Sequence, residues 1–213
     1  MLILEAPDAQ GILLFGSGAG GDPRRYGTVL HSLPAIGFTV LAPTNERFDP
    51  RTVTTEQLLD RVHGMASALS KYARTDLPVV AAGHSVGGWA ALCLAGAHPW
   101  DRDGQPLPVH AEERVTRLVL LAPTVGWFQA PGALAEVAAP TDVFVGAKDS
   151  ITPASTLEIL RSAPARVNIH TEENAGHFDF MTDLPPGMTP TSGLDHVTFL
   201  HKLASQIAVA IQQ

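Results

Sequence analysis

Gly83-His84-Ser85-Val86-Gly87 sits between a short apolar run, Pro78-Val79-Val80-Ala81-Ala82, and a run rich in alanine and leucine, Gly88-Trp89-Ala90-Ala91-Leu92-Cys93-Leu94-Ala95. The first run has the composition of a parallel strand buried on both faces. The second predicts a helix that closes near His98-Pro99. Between them, Gly-x-Ser-x-Gly predicts a sharp strand-to-helix turn that lifts a serine hydroxyl above the sheet. Glycines flank the serine because a Cβ there would strike the neighbouring strand or helix.

Outward from this turn, strand-like and helix-like runs alternate. Strands are expected at Gly11–Phe15, Phe38–Ala42, Val79–Ala82, Arg117–Leu121, Thr141–Val145 and Arg166–His170, with Met1–Leu4 as a possible edge strand. Helices are expected at about Pro23–Leu33, Val53–Ala73, Val86–Ala97, Pro153–Ser162 and Leu194–Ile211, with a short helical piece at Ala133–Val137. In the last long helix, Val197, Leu200, Leu203, Ile207 and Ile211 recur every three or four residues as an apolar stripe. The alternation implies an α/β fold: a mostly parallel, doubly wound sheet of about six or seven strands with helices on both faces.

The composition agrees. The 213 residues suit one domain, 1–213, that buries its own core; 45% are hydrophobic and only 16% charged. A formal net charge of −7 without a basic cluster argues against nucleic acid as a partner. The single cysteine, Cys93, falls inside the helix after the turn and reads as a small buried apolar residue. Met1-Leu2-Ile3-Leu4-Glu5 lacks the basic region and length of a signal peptide. No stretch approaches the ~20 apolar residues of a membrane span, so neither a membrane nor a secretory route is expected and the cytoplasm is the default location. Oligomeric state is not readable.

A serine hydroxyl needs a base to become a nucleophile, and the base needs a carboxylate to hold its tautomer. Asp149, in Gly146-Ala147-Lys148-Asp149, directly follows the strand ending at Val145. His177, in Asn174-Ala175-Gly176-His177-Phe178, follows the strand Arg166–His170. Ser85, Asp149 and His177 therefore fall at three strand ends, in that chain order. Asp149 also reads as a turn residue ahead of Thr152-Pro153, itself an apparent cap and first helical proline. Asp179 and Asp183 stand second as the acid. Among nine histidines, His84 should point into the fold, and His196 and His201, five apart on a helix, do not share a face. No metal and no cofactor is expected. Trp127 and Phe128, in the loop after Leu118–Leu121, either line a substrate pocket or pack that loop onto the body. Glu46 and Arg47 lie in another such loop.

Three motifs carry a family resemblance: Gly-His-Ser-Val-Gly-Gly at 83–88, Val-Gly-Ala-Lys-Asp-Ser-Ile-Thr-Pro at 145–153, and Ala-Gly-His-Phe-Asp-Phe at 175–180. With them the chain resembles, over nearly its whole length, a small capless serine α/β-hydrolase of the dienelactone-hydrolase-like group. Dienelactone hydrolases themselves carry a cysteine where Ser85 stands. The resemblance implies an α/β-hydrolase fold and a hydrolase acting on small-molecule carboxylic esters or thioesters through an acyl-serine. An amidase or peptidase with the same triad, or a silent ligand-binding protein of the same fold, remain the alternatives.

The oxyanion hole would take one N–H from Val86 at the helix start. The other would come from Gly16-Ser17-Gly18-Ala19-Gly20-Gly21. Relatives have His-Gly-x-Gly there; aligned on the glycines, Ala19 takes the donor position, with Ser17 and Gly18 as alternates. The same glycines match the dinucleotide fingerprint Gly-x-Gly-x-x-Gly. That reading requires an acid ~20 residues on, whereas the nearest, Glu46, is about thirty past the first glycine.

Overall fold

A computed structural model describes residues 1–213. Seven strands, β1 (Leu2–Leu4), β2 (Gly11–Gly16), β3 (Phe38–Ala42), β4 (Val79–His84), β5 (Val115–Leu121), β6 (Thr141–Gly146) and β7 (Val167–Glu172), form one sheet in the order β1-β3-β2-β4-β5-β6-β7. Only β1 runs antiparallel, pairing Leu2–Leu4 with Ala42–Val40 at the edge. The other six strands are parallel.

Alternation along each strand divides the core into two layers, since successive side chains leave a strand on opposite faces. Ile12, Leu14, Val79, Ala81, Leu118, Leu120, Val143 and Val145 face α2 (Thr55–Tyr72) and α3 (Val86–Leu94). Leu13, Phe15, Val80, Ala82, Val119, Leu121 and Phe144 face α1 (Gly27–Leu30) and α4 (His196–Ile211). Thr54 starts α2 with a capping box, its hydroxyl accepting from Gln57 N–H while Gln57 returns to the Thr54 amide. The chain has the expected doubly wound α/β architecture.

Four local expectations need correction. Pro23–Leu33 is not one helix: a 3₁₀ turn, Pro23–Tyr26, capped by Asp22, leads into the single turn α1, where Gly27 favours no extension. Ala154–Ser162 winds as 3₁₀ rather than α, beginning just after Pro153. Ala133–Val137 forms turns, being too short to meet the cost of helix nucleation, although Ala133, Leu134 and Val137 are still buried. Val197 is 66% exposed, so the α4 stripe runs instead through Phe199, Leu200, Leu203, Ala204, Ile207 and Ile211. No helix is long and apolar enough to cross a membrane.

Candidate active site

The carboxyl ends of β2, β4, β6 and β7 converge on one cavity of about 430 Å³, lined by Gly18–Gly21, Ser85, Trp127, Thr152 and His177 among others. Such convergence follows from the fold: every parallel strand points the same way, and the loops that leave their ends share one side of the sheet.

Ser85 sits between β4 and α3 with φ 55° and ψ −120°, a conformation a side chain rarely adopts. Its amide donates to Leu121 O at 2.9 Å, and its carbonyl accepts from Gly88, Trp89 and Thr124 amides, so the strained turn is held from both sides. The glycine spacing is explained by contact. A Cβ on Gly83 would run into the Gly87 backbone, and one on Gly87 into Gly16. The elbow is thus pressed against the end of β2, which brings the glycine loop beside the serine.

Asp149 and His177 meet across two neighbouring turns. His177 Nδ1 donates to Asp149 Oδ2 at 2.8 Å, and the side chains are only 5% and 0% exposed. Asp149 Oδ1 accepts from the amides of Ile151 and Thr152, both at 2.8 Å, and Thr152 Oγ1 lies 2.8 Å from Oδ2. Burial pushes the Asp149 carboxyl up, but hydrogen bonds from His177 and Thr152 and the His177 charge outweigh it and hold the group below the ordinary carboxylate range. The two turns are themselves joined: Ala147 N–H reaches Glu172 O and Lys148 N–H reaches Ala175 O. Gly146 makes this possible, since a Cβ there would strike Ala175 O.

Thr152 is not the helix cap that Thr-Pro suggested; no side chain caps that segment. Its hydroxyl instead lies within reach of Asp149 Oδ2, His177 Nδ1 at 3.1 Å and Ala122 O at 3.2 Å. Asp179 and Asp183 do not reach the imidazole. Asp179 accepts the Gly176 and Thr191 amides, bracing the turn that carries His177, and Asp183 is exposed. Ser85 Oγ makes no hydrogen bond to His177, although both face the cavity.

In the glycine loop, Gly21 N–H closes a turn onto Gly18 O at 2.9 Å, and Gly18 N–H donates to Tyr26 Oη at 3.1 Å. The Ala19 and Val86 amides have no partner within the chain. Of the three loop residues named from sequence, Gly18 has its amide engaged, and the Ser17 hydroxyl is buried without a partner. Behind the loop, buried Arg61 of α2 donates from Nη2 to Ala19 O at 3.2 Å and to Glu46 O at 2.7 Å, its guanidinium lying 4.8 Å from the Phe48 ring centre. Burial draws Arg61 down to about 10, only partly opposed by the Asp60 carboxylate. Nothing in the pattern of α2 distinguished this arginine from a solvated one.

The two aromatic candidates separate. Trp127 lines the cavity, its ring 6.4 Å from that of Trp89. Phe128 does not: it is 1% exposed, packed in the α2–α3 layer of the core, because the 3₁₀ turn Gly126–Phe128 sends adjacent side chains to different sides. Arg47 reaches the cavity mouth and Glu46 contributes only its carbonyl to Arg61. No group of three or more His, Cys, Asp or Glu side chains has a metal-binding arrangement.

No protein-family model matches the chain, and no curated protein matches it in sequence. Solved structures do match. An esterase of the planctomycete Thermogutta terrifontis superposes with TM-score 0.64 in its propionate-bound form, at 18% identity over 98% of this chain and 88% of that one. Its butyrate-bound form gives TM-score 0.66 at 16% identity over 98% and 88%. An alpha-beta serine hydrolase homologue from Coxiella burnetii gives 0.67 at 15% identity over 98% and 89%. At these identities the likeness establishes the fold, which is that of the α/β-hydrolases.

Proposed function

We propose that this chain is a serine hydrolase that cleaves carboxylic esters or thioesters through an acyl-serine intermediate. The observation that carries the reading is a strained serine facing the same cavity as a buried His–Asp pair, with two unpaired amides, Ala19 and Val86, on the loops around it. The likeness in fold to an esterase crystallised with propionate and butyrate supports small acyl groups.

In this mechanism Ser85 Oγ attacks the acyl carbon while His177 Nε2 removes its proton. Asp149, already accepting from Nδ1, fixes the tautomer and stabilises the imidazolium. The carbonyl oxygen gathers negative charge and takes hydrogen bonds from Ala19 and Val86 N–H, the latter at the positive end of α3. The imidazolium returns its proton to the leaving alcohol or thiol. The neutral imidazole so restored takes a proton from water as that water attacks the acyl-serine, and hands it to Ser85 Oγ as the acid is released. The bond from Ser85 to His177 that the free chain lacks is one that catalytic pairs commonly tighten only with substrate in place.

A fluorophosphonate probe tests the assignment, followed by p-nitrophenyl esters and thioesters of increasing acyl length. The adduct should map to Ser85 and turnover should peak at short acyl chains. A folded protein that neither labels nor turns over any member of the panel would sink the proposal.

A further inference from the structure

A chain of three buried hydrogen bonds, which the acyl-serine steps do not use, joins the glycine loop to the turn bearing His177. Gly18 N–H donates to Tyr26 Oη at 3.1 Å, Tyr26 Oη lies 3.0 Å from His84 Nδ1, and His84 Nε2 lies 2.9 Å from His177 O. Only one placement of the protons satisfies all three. A carbonyl can only accept, so His84 Nε2 carries the hydrogen. Nδ1 is then an acceptor, Tyr26 donates to it, and the tyrosine oxygen is left to accept from Gly18.

Both side chains are 2% exposed. Burial first, and the His177 charge second, draws His84 down to about 3, so its ring is neutral near pH 7. Burial likewise pushes the Tyr26 phenol up. The relay therefore has one direction and no titrating member near neutral pH. It is also tight: a Cβ on Gly18 would lie 3.1 Å from His84 Nδ1 and 3.4 Å from Tyr26 Oη. The His84 and His177 rings are 4.7 Å apart.

We propose that Tyr26 and His84 are positioning residues that hold the Ala19 amide and the His177 base in one register about Ser85. His84 is adjacent to the nucleophile in the chain, so its ring ties the elbow to the loop on one side and to the base on the other. Slack in this tie displaces the oxyanion donor relative to the attacked carbonyl, and a displacement of about 1 Å costs on the order of 10² in rate. The inference rests on the hydrolase reading.

Tyr26→Phe removes the hydroxyl and keeps the ring that packs 4.8 Å from Phe15. With p-nitrophenyl butyrate, kcat and kcat/KM should fall together by roughly 10–100-fold while KM stays level. Phenylboronic acid, which adds to Ser85 Oγ as a tetrahedral anion, should lose affinity by the same factor, and butyrate should not. His84→Gln, which keeps an amide donor toward His177 O, should retain about tenfold more activity than His84→Leu. This pair replaces Tyr26→Phe if that variant does not fold. A lowered melting temperature with unchanged kcat and boronate affinity reduces the relay to a structural role and overturns the inference alone. A wild type inert to both ester and probe overturns the hydrolase reading, and the relay with it.

Discussion

The chain holds two His–Asp pairs between the same two strands. Asp142 and His170 lie within β6 and β7; Asp149 and His177 lie seven residues further along, past the ends of those strands. The contact distances are nearly equal, 2.9 Å for the first pair and 2.8 Å for the second. Their surroundings differ. Asp142 also accepts from Arg117 and Asn168, and the His170 ring stacks on Phe144 at 4.6 Å, with its side chain 39% exposed. That carboxylate is spent on holding the sheet face beside α4. Asp149 instead takes backbone amides and Thr152, which leaves His177 with Nε2 free toward a cavity that also contains Ser85. A histidine–carboxylate bond is therefore no mark of chemistry by itself. What sets the second pair apart, and what the proposed mechanism needs, is a turn beyond a strand end, a dry carboxylate and a serine on the same cavity.

The contrast breaks most easily at the two acids. Asp149→Asn should cut turnover on the order of 10⁴-fold with folding preserved, whereas Asp142→Asn should leave kcat within about twofold. Comparable losses from both, measured on p-nitrophenyl esters and normalised to folded protein, would erase the distinction. The second difference is in stability. Asp142→Ala leaves Arg117, only 14% exposed, without its carboxylate, and should cost about 3 kcal/mol in urea unfolding, the low end for a broken buried pair because His170 retains access to water. No loss would mean that this pair does not hold the sheet.

A third effect, spread over several pH units, is the acid response of the enclosed groups. The unfolded chain protonates His84 below about 6.5, while the folded chain resists until about 3, so stability should fall as pH drops across that window by up to about 1.4 kcal/mol per unit. Asp149 acts in the same direction, lower still: its contribution is present above the ordinary carboxylate value of about 3.9 and is lost as pH falls through its depressed folded value. Urea midpoints at pH 7, 5.5 and 4 should fall more steeply for wild type than for His84→Gln; parallel lines would contradict a neutral, buried His84. Smallest of all, His170→Gln should change stability by less than about 1 kcal/mol and leave the pH–rate profile unaltered, since its partner keeps Arg117 and Asn168. A shifted profile would tie the outer pair to the site.

Much of this was legible in the residues because strand ends and glycines are local signals. The strained turn at Ser85 announced itself through Gly83 and Gly87, and the strand-end positions of Asp149 and His177 through the apolar runs that become β6 and β7. Thr152 was misread because Thr-Pro is a common helix start, and its hydroxyl was drawn away by an acid three residues earlier and a carbonyl on β5's exit. Trp127 and Phe128 could not be told apart because they are neighbours in one loop, and a single 3₁₀ turn sends one to the cavity and the other to the core.

Periodicity and turn chemistry, which act over a few residues, are written in the order of amino acids, and so the α/β class, the elbow and the order in which Ser85, Asp149 and His177 follow their strands could be read directly. That Asp142 and His170 form a second His–Asp pair within β6 and β7 could not. Nor could the Tyr26–His84 tie, whose members stand 58 residues apart, or Arg61 reaching 42 residues back to Ala19. Those contacts exist only once two layers of helices have packed on the sheet. Burial then removes water as the competing partner, and each polar group must find its hydrogen bond wherever the fold has brought one.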